Sequence, residues 1–323
     1  NQSDLAEYLP MVSDSDLKIQ LEKILKFTRK QPLALLHALA ELEVSVRNKV
    51  ARKEIPAKQA VNLVNLNVSA GLVMHVTVSR LMDLDRQWTV KELLAIQKDL
   101  MGGVYGGGLI SHREYQAAVS IVDGVLAKKD LTIGEMVDAL DRSTRIVEWA
   151  QATVSSAFWD VWEPWTFLIP EVKGITDDII RSSLLLNYAS LVKSLRQHLL
   201  GKLNLEHDVL GNKTTEGIRA LNPGLAFGPM KFFSEHETGY TRDNILALET
   251  TNAELNPVAG IITKDEGNVV SHVQLLARAL GIPNAVFLKD LYTKLNEVKG
   301  KDMFYVATHK VRVLLKSADG MDE

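Results

Sequence analysis

The chain of 323 residues contains no cysteine. Disulfide staples, thiolate nucleophiles and cysteine-ligated zinc are excluded at once, and a reducing, cytoplasmic setting is the expectation. It also lacks any uninterrupted apolar run of about 18 residues, so no bilayer span and no membrane partner are expected. No basic segment leads into an apolar run at the start, which argues against a secretory leader. Positive charge is not in excess. The formal net charge is −3, so no whole-molecule field draws it to nucleic acid. Aromatic residues make up only 6%, and three of the five tryptophans fall within residues 158–167. The first residue is Asn1 rather than Met, and the chain is read as a processed product or a piece of a longer protein. Apolar residues at 46% and charged residues at 24% are ordinary for a globular protein.

A chain of this length has room for two cores. Residues 16–202 read as successive helices. Leu17, Leu21, Ile24 and Leu25 recur at helical spacing, as do Leu33, Leu36, Leu42 and Val46. Pro56 opens a helix. Thr89 with Glu92, and Thr132 with Glu135, match the capping box. Asp177 and Asp178 suit a helix start, where the dipole favours anions. Residues 204–222 then crowd asparagine, glycine and proline together and read as a linker. Short strand-like runs follow at 230–233, 245–248, 258–262, 285–288, 303–307 and 311–315, with one helix at 271–280. The expected class is multi-domain, α plus α/β: a helical domain over 1–203, a linker over 204–221 and a small α/β domain over 222–323.

The chemistry concentrates at residues 258–288. An apolar strand runs through a polar loop into Ser271-His272-Val273-Gln274. Ser271 with Gln274 matches a further capping box, with Val270 and Leu275 as the apolar staple. Gly281 is a C-terminal cap and Pro283 stops the helix. His272 is then the first helical residue, among backbone N–H groups at the positive end of a helix dipole. Such a place binds phosphate and disfavours imidazolium, leaving the ring neutral and nucleophilic. On these local features two readings stand: a residue at the start of a surface helix, or a phosphoryl-accepting nucleophile.

The run Gly267-Asn268-Val269-Val270-Ser271-His272, followed by Ala277-Arg278-Ala279-Leu280-Gly281-Ile282-Pro283, resembles the phosphohistidine swivel domain of the PEP-utilising enzymes. That family includes pyruvate phosphate dikinase, PEP synthase and the α-glucan water dikinases. Its loop is Gly-Gly-x-Thr-(Ser/Cys)-His, and its helix ends Ala-Arg-x-x-Gly-x-Pro. The stretch Asn222-Pro223-Gly224-Leu225-Ala226-Phe227-Gly228 is similar to the family's Ser-Pro-Gly-x-Ala-x-Gly at the first strand. Asn268 stands where the family has its second glycine, and Val270 where it has threonine. The resemblance spans residues 218–323. It implies an ATP-dependent phosphotransferase with paired acceptors, in which His272 carries the phosphoryl group and Ser271, Asn268, Gly267 and Arg278 bind it. Arg278 stands about 120° around the helix from His272, so a salt bridge to a neighbour is its alternative role. The resemblance places ATP and Mg²⁺ in a partner nucleotide-grasp domain of the same parent protein, with no cofactor in this chain. The acceptor is pyruvate, water or a glucan. The other expectation is a regulatory or interaction module whose swivel domain is a non-catalytic relic.

Three other features bear on function. Gly102-Gly103-Val104-Tyr105-Gly106-Gly107-Gly108 lacks the Lys-Ser/Thr of a phosphate loop and follows a helix, so it reads as a connection between helices, with His112 starting the next one. The aromatic run at 158–167 reads as core or interdomain packing rather than a sugar-stacking platform. His37, His75, His198, His207, His236 and His309 show no metal-ligand spacing, and Glu249 reads as a solvated carboxylate at a strand end.

Overall fold

A computed structural model describes residues 2–28, 30–84, 86–130, 132–169, 172, 174–200, 206–233, 239–250, 255–265, 271–308 and 311–319. The chain divides into two compact units, Asn1–His198 and Leu199–Glu323. Helices and a mixed sheet together make up the fold, as expected for an α plus α/β chain.

The first unit begins with a 3-10 segment, Gln2–Met11, followed by α1 (Ser15–Lys26), α2 (Pro32–Ala51), α3 (Ala57–Met82), α4 (Val90–Gly106), α5 (His112–Ala127), α6 (Ile133–Ser143), α7 (Arg145–Trp162) and α8 (Ile175–Arg181). The last helix, α9 (Leu184–Leu200), runs to the boundary. Caps set the starts. Thr89 and Glu92 exchange hydrogen bonds reciprocally at α4, as do Thr132 and Glu135 at α6. Ser111 and Glu114 form a further box ahead of His112 that the sequence reading missed. The core threads Leu17, Leu21 and Ile24 of α1 against Leu36, Leu39 and Leu42 of α2, all fully buried. α3 is long and apolar enough to cross a membrane by composition alone, yet one face is buried here through Leu63, Leu66, Ala70 and Met74.

Only the end of the glycine run, Gly107 and Gly108, forms the expected connection between helices. Gly102, Gly103 and Gly106 lie inside α4. A Cβ on Gly102 would meet the Ala40 Cβ of α2 at 3.4 Å, and one on Gly103 would meet the Leu184 Cδ1 of α9 at 2.5 Å. At Gly106 it would collide with Glu43. The glycines are therefore a seam that lets helices approach, and the helix continues through them because packing outweighs their poor propensity.

Glu43 of α2 is 1% exposed, with Oε1 lacking a hydrogen-bond partner. Asn67 of α3 donates to Glu43 O at 3.2 Å and Gly106 O at 3.1 Å, tying the three helices at this point. Burial pushes the Glu43 pKa well above the usual carboxylate range.

The second unit holds β1 (His207–Val209), β2 (Asn212–Thr214), β3 (Ile218–Asn222), β4 (Gly224–Phe232), β5 (Ile245–Leu248) and β6 (Gly260–Thr263), then α10 (His272–Leu280), β7 (Asn284–Phe287), α11 (Lys289–Lys294), β8 (Asp302–Ala307) and β9 (Val313–Ser317). Strand order is β2-β1-β9-β8-β4-β5-β6-β7-β3. β4, β5, β6 and β7 run parallel, β3 caps that edge antiparallel, and β8 and β9 extend the other side antiparallel.

The expected linker is part of this sheet. Its turn residues mark a hairpin: Leu210 and Gly211, with φ of 52° and 78°, join β1 to β2. Two successive positive φ values suit the twist of a two-residue hairpin. His207 is buried and its Nδ1 accepts from Val313 N at 3.1 Å. Burial first, and the nearby Arg312 charge second, hold its pKa below the ordinary value, so the ring stays a neutral acceptor.

Two outcomes are expected. Glu43 titrates near about 4.3 when unfolded. Between that value and its raised folded value the fold holds the extra proton, so stability is lost as pH rises through the window. Glu43→Gln should flatten that slope and gain about 1–3 kcal/mol at pH 8, with little change at pH 4, in urea unfolding followed by circular dichroism. Gly106→Ala gains about 1 kcal/mol of helix propensity but overpacks against Glu43. A net loss of about 1–3 kcal/mol is expected in the same assay.

Candidate functional site

The β6–α10–β7 crossover sets the site. α10 packs on the sheet through Val273 and Ala277, which share a buried cluster with Leu246, Leu248 and Ile261. Because β6 and β7 are parallel, the helix between them runs back across the sheet. Its first turn therefore lies towards the C-terminal ends of the strands, where open parallel sheets bind ligands.

Ser271 has the extended backbone of an N-cap, with φ −68° and ψ 150°, and its carbonyl accepts the first helical bond from Leu275 N at 3.0 Å. The capping box itself is not formed. Ser271 makes no side-chain cap hydrogen bond, and its Oγ is buried, with the residue 6% exposed, and has no partner. Thr263, the last residue of β6, is fully buried and its Oγ1 also lacks a partner. By strand alternation Thr263 faces the same side as Ile261, the side that α10 covers. A buried hydroxyl without a partner costs about 1–3 kcal/mol, which a polar ligand offsets.

His272 occupies the first helical position and is partly exposed. No acidic residue stands in the first turn, so α10 does not neutralise its own positive end, and an anion is favoured there. At the neighbouring strand ends Lys264 pairs with Glu249 at 3.5 Å, and its Nζ stands 6.0 Å from the Tyr292 ring. Burial, helped by the Glu249 charge, holds the Tyr292 hydroxyl above its ordinary pKa.

Arg278 is not brought to this place. α10 is regular from His272 to Leu280, so Arg278 sits about 9 Å further along the axis and on another face. It is the cation of the last turn, a position the helix dipole favours. Gly267 and Asn268 lie outside the described residues, as do Val269, Val270, His236 and His309.

The two separated sequence motifs meet in space. Asn222 Nδ2 donates to Ala277 O at 3.0 Å and Ile282 O at 2.7 Å. A Cβ on Gly224 would stand 2.8 Å from Gly281 O and 2.9 Å from Pro283 Cδ. Gly281 adopts the left-handed cap at φ 66°, and Ile282 N returns to Ala277 O at 2.9 Å. The first motif is thus a clamp on the carbonyl end of α10, a role not deduced from the sequence.

Neither family models nor curated proteins nor solved structures match this chain. The resemblance to the phosphohistidine domain rests on the motif residues themselves.

Among the described residues no three His, Asp or Glu side chains gather as a metal site. Sequence reasoning missed a histidine–carboxylate pair in the helical unit, His37 Nδ1 to Asp99 Oδ1 at 2.8 Å; the 62-residue separation carries no spacing signal. The aromatic run departs from the core-packing part of the expectation. Trp162 is buried, but Trp159 is 50% and Phe167 90% exposed. α7 ends at Trp162 and a 3-10 turn through Pro164 follows, so the residues beyond leave the helix face that faces the core.

Asn222→Ala removes both bonds to the end of α10. A loss of about 1–3 kcal/mol is expected in urea unfolding, with hydrogen exchange accelerating at Gly281 and Ile282 ahead of the sheet.

Proposed function

We propose that the second unit is a phosphoryl carrier and that His272 is its nucleophile, in a parent protein that supplies a nucleotide-binding domain. The observation that carries this reading is the set of groups at the C-terminal ends of the parallel strands, where α10 starts. They are a histidine at the first helical position, a helix with no acidic residue in its own first turn, and two buried hydroxyls without partners, Ser271 Oγ at the N-cap and Thr263 Oγ1 at the end of β6. The resemblance of the flanking motifs supplies the rest: ATP and Mg²⁺ in the partner domain, and pyruvate, water or a glucan as acceptor.

In the loading step a neutral imidazole nitrogen attacks phosphorus. An N–P bond forms and the P–O bond to the nucleotide breaks, leaving the nucleotide with the electron pair. In delivery the N–P bond breaks as the acceptor oxygen forms its own bond to phosphorus, and the imidazole is restored. The backbone N–H groups of the first turn hold the anion in both steps, with Ser271 and Thr263 as added donors. Since residues 207–222 are built into the sheet, the pivot of any movement of this unit falls before β1.

The test is the intact mass of the full-length parent after ATP and Mg²⁺, kept alkaline because phosphohistidine is acid-labile. A gain of one phosphoryl group is expected, lost in His272→Ala. Ser271→Ala and Thr263→Val should leave stability unchanged within about 0.5 kcal/mol, or raise it, because neither hydroxyl is hydrogen-bonded, while phosphoryl occupancy falls. No mass gain in the native protein, with ATP binding shown separately, overturns the carrier. The exposed aromatic run at Trp159, Trp165 and Phe167 would then favour the interaction-module reading.

A further inference from the structure

The helical unit contains a cavity of about 730 Å³ between the 3-10 segment, the α1–α2 turn and the end of α3. That volume is within the roughly 300–1,000 Å³ range of small-molecule sites. Its walls are aliphatic, including Leu35, Val73 and Leu81, which are buried, and Val76 and Leu84, which are 45% and 47% exposed and leave an apolar rim open to solvent. Arg80 also lines it and is the one ionic side chain among the described lining residues.

The polar lining groups have their donors engaged elsewhere. Gln2 Nε2 donates to Ile24 O at 2.6 Å and Phe27 O at 3.0 Å. Thr77 Oγ1 donates to Val73 O at 2.7 Å, and Thr28 Oγ1 to Gln31 Oε1 at 3.2 Å. Arg80 is exposed and, among the described residues, has neither an ion pair nor a side-chain hydrogen bond, although its planar fork offers five N–H donors matched to a carboxylate. The cavity thus presents one unspent set of cationic donors on otherwise aliphatic walls. A cationic or neutral polar head would leave those donors unanswered, and an aromatic or sugar body would find neither stacking partner nor directed acceptors along the aliphatic walls.

We infer that this cavity binds an amphipathic monocarboxylate, with its aliphatic chain against Leu35, Val73 and Leu81 and its carboxylate on Arg80. The site is independent of His272 and of the carrier reading.

The experiment is calorimetric titration of the whole chain with decanoate, below its micelle-forming concentration, beside decanol and decyltrimethylammonium. One saturable decanoate site is expected, with decanol at least tenfold weaker and the cationic amphiphile not binding. Arg80→Gln should weaken decanoate about tenfold, as loss of a charged hydrogen bond does, and leave decanol unchanged. Val76→Trp, at a partly exposed rim position that tolerates bulk, should block both. His272→Ala should change none of these. Equal affinity for decanoate and decanol, or unchanged decanoate affinity in a folded Arg80→Gln protein, overturns the assignment of the head group. No saturable binding of decanoate overturns the site.

Discussion

One amide fixes where α10 lies on the sheet of the second unit. The Asn222 side chain bridges the carbonyls of Ala277 and Ile282, so the far end of α10 is tied to the strand that leads into β4. A nine-residue helix is about 13 Å long and stiff. Holding one end against the sheet therefore fixes the other to within its packing tolerance. The near approach of Gly224 to Gly281 and Pro283 removes the remaining slack. His272 is positioned from the opposite end of its own helix, and the clamp residues need not touch any ligand to matter.

The helical unit uses a different device for the same end. There the constraint is the closeness of α2, α3 and α4, set by glycines rather than by a polar clamp. Asn67 completes the seam by donating to carbonyls on two helices. A buried network of Gln97, Ser143 and Tyr188 then joins α4 to α6 and α9, with bonds of 2.9 and 3.0 Å from Gln97 Nε2. In both units a side-chain amide satisfies main-chain carbonyls, a role suited to asparagine and glutamine because they carry two donors without charge.

Much of this was legible residue by residue, and the failures have physical causes. Thr89–Glu92 and Thr132–Glu135 follow the capping pattern and form it; Ser271–Gln274 follows it and does not. The first two starts are exposed, so local hydrogen bonds settle them, whereas Ser271 is buried and tertiary packing settles its rotamer. The stretch 204–221 reads as a linker because glycine and asparagine signal turns without saying what the turns connect. Pairing of β1 with β9, Asp208 opposite Leu314, and of β3 with β7, Ile218 opposite Phe287, is what makes it sheet, and strand pairing at such separation leaves no local pattern. The glycines of α4 failed for the converse reason: propensity speaks for a break, and only the neighbouring helices reveal the close contact.

Unpartnered buried polar atoms alone do not mark a site here. Glu43 Oε1, Asn67 Oδ1 and both amide atoms of Asn284 lack partners as fully as Ser271 Oγ and Thr263 Oγ1 do. Asn284 is a useful contrast, since it sits in the same unit and, paired with Ile261, on the same face of the sheet. It opens β7 at the N-terminal ends of the parallel strands, towards the carbonyl end of α10, where the helix dipole repels an anion. Ser271 and Thr263 lie towards the opposite end, where the dipole attracts one and where His272 begins the helix. The same unmet hydrogen-bonding capacity thus faces a potential that repels anions at one end of the helix and one that attracts them at the other. The direction in which α10 runs, imposed by the parallel strands it joins, is what distinguishes them.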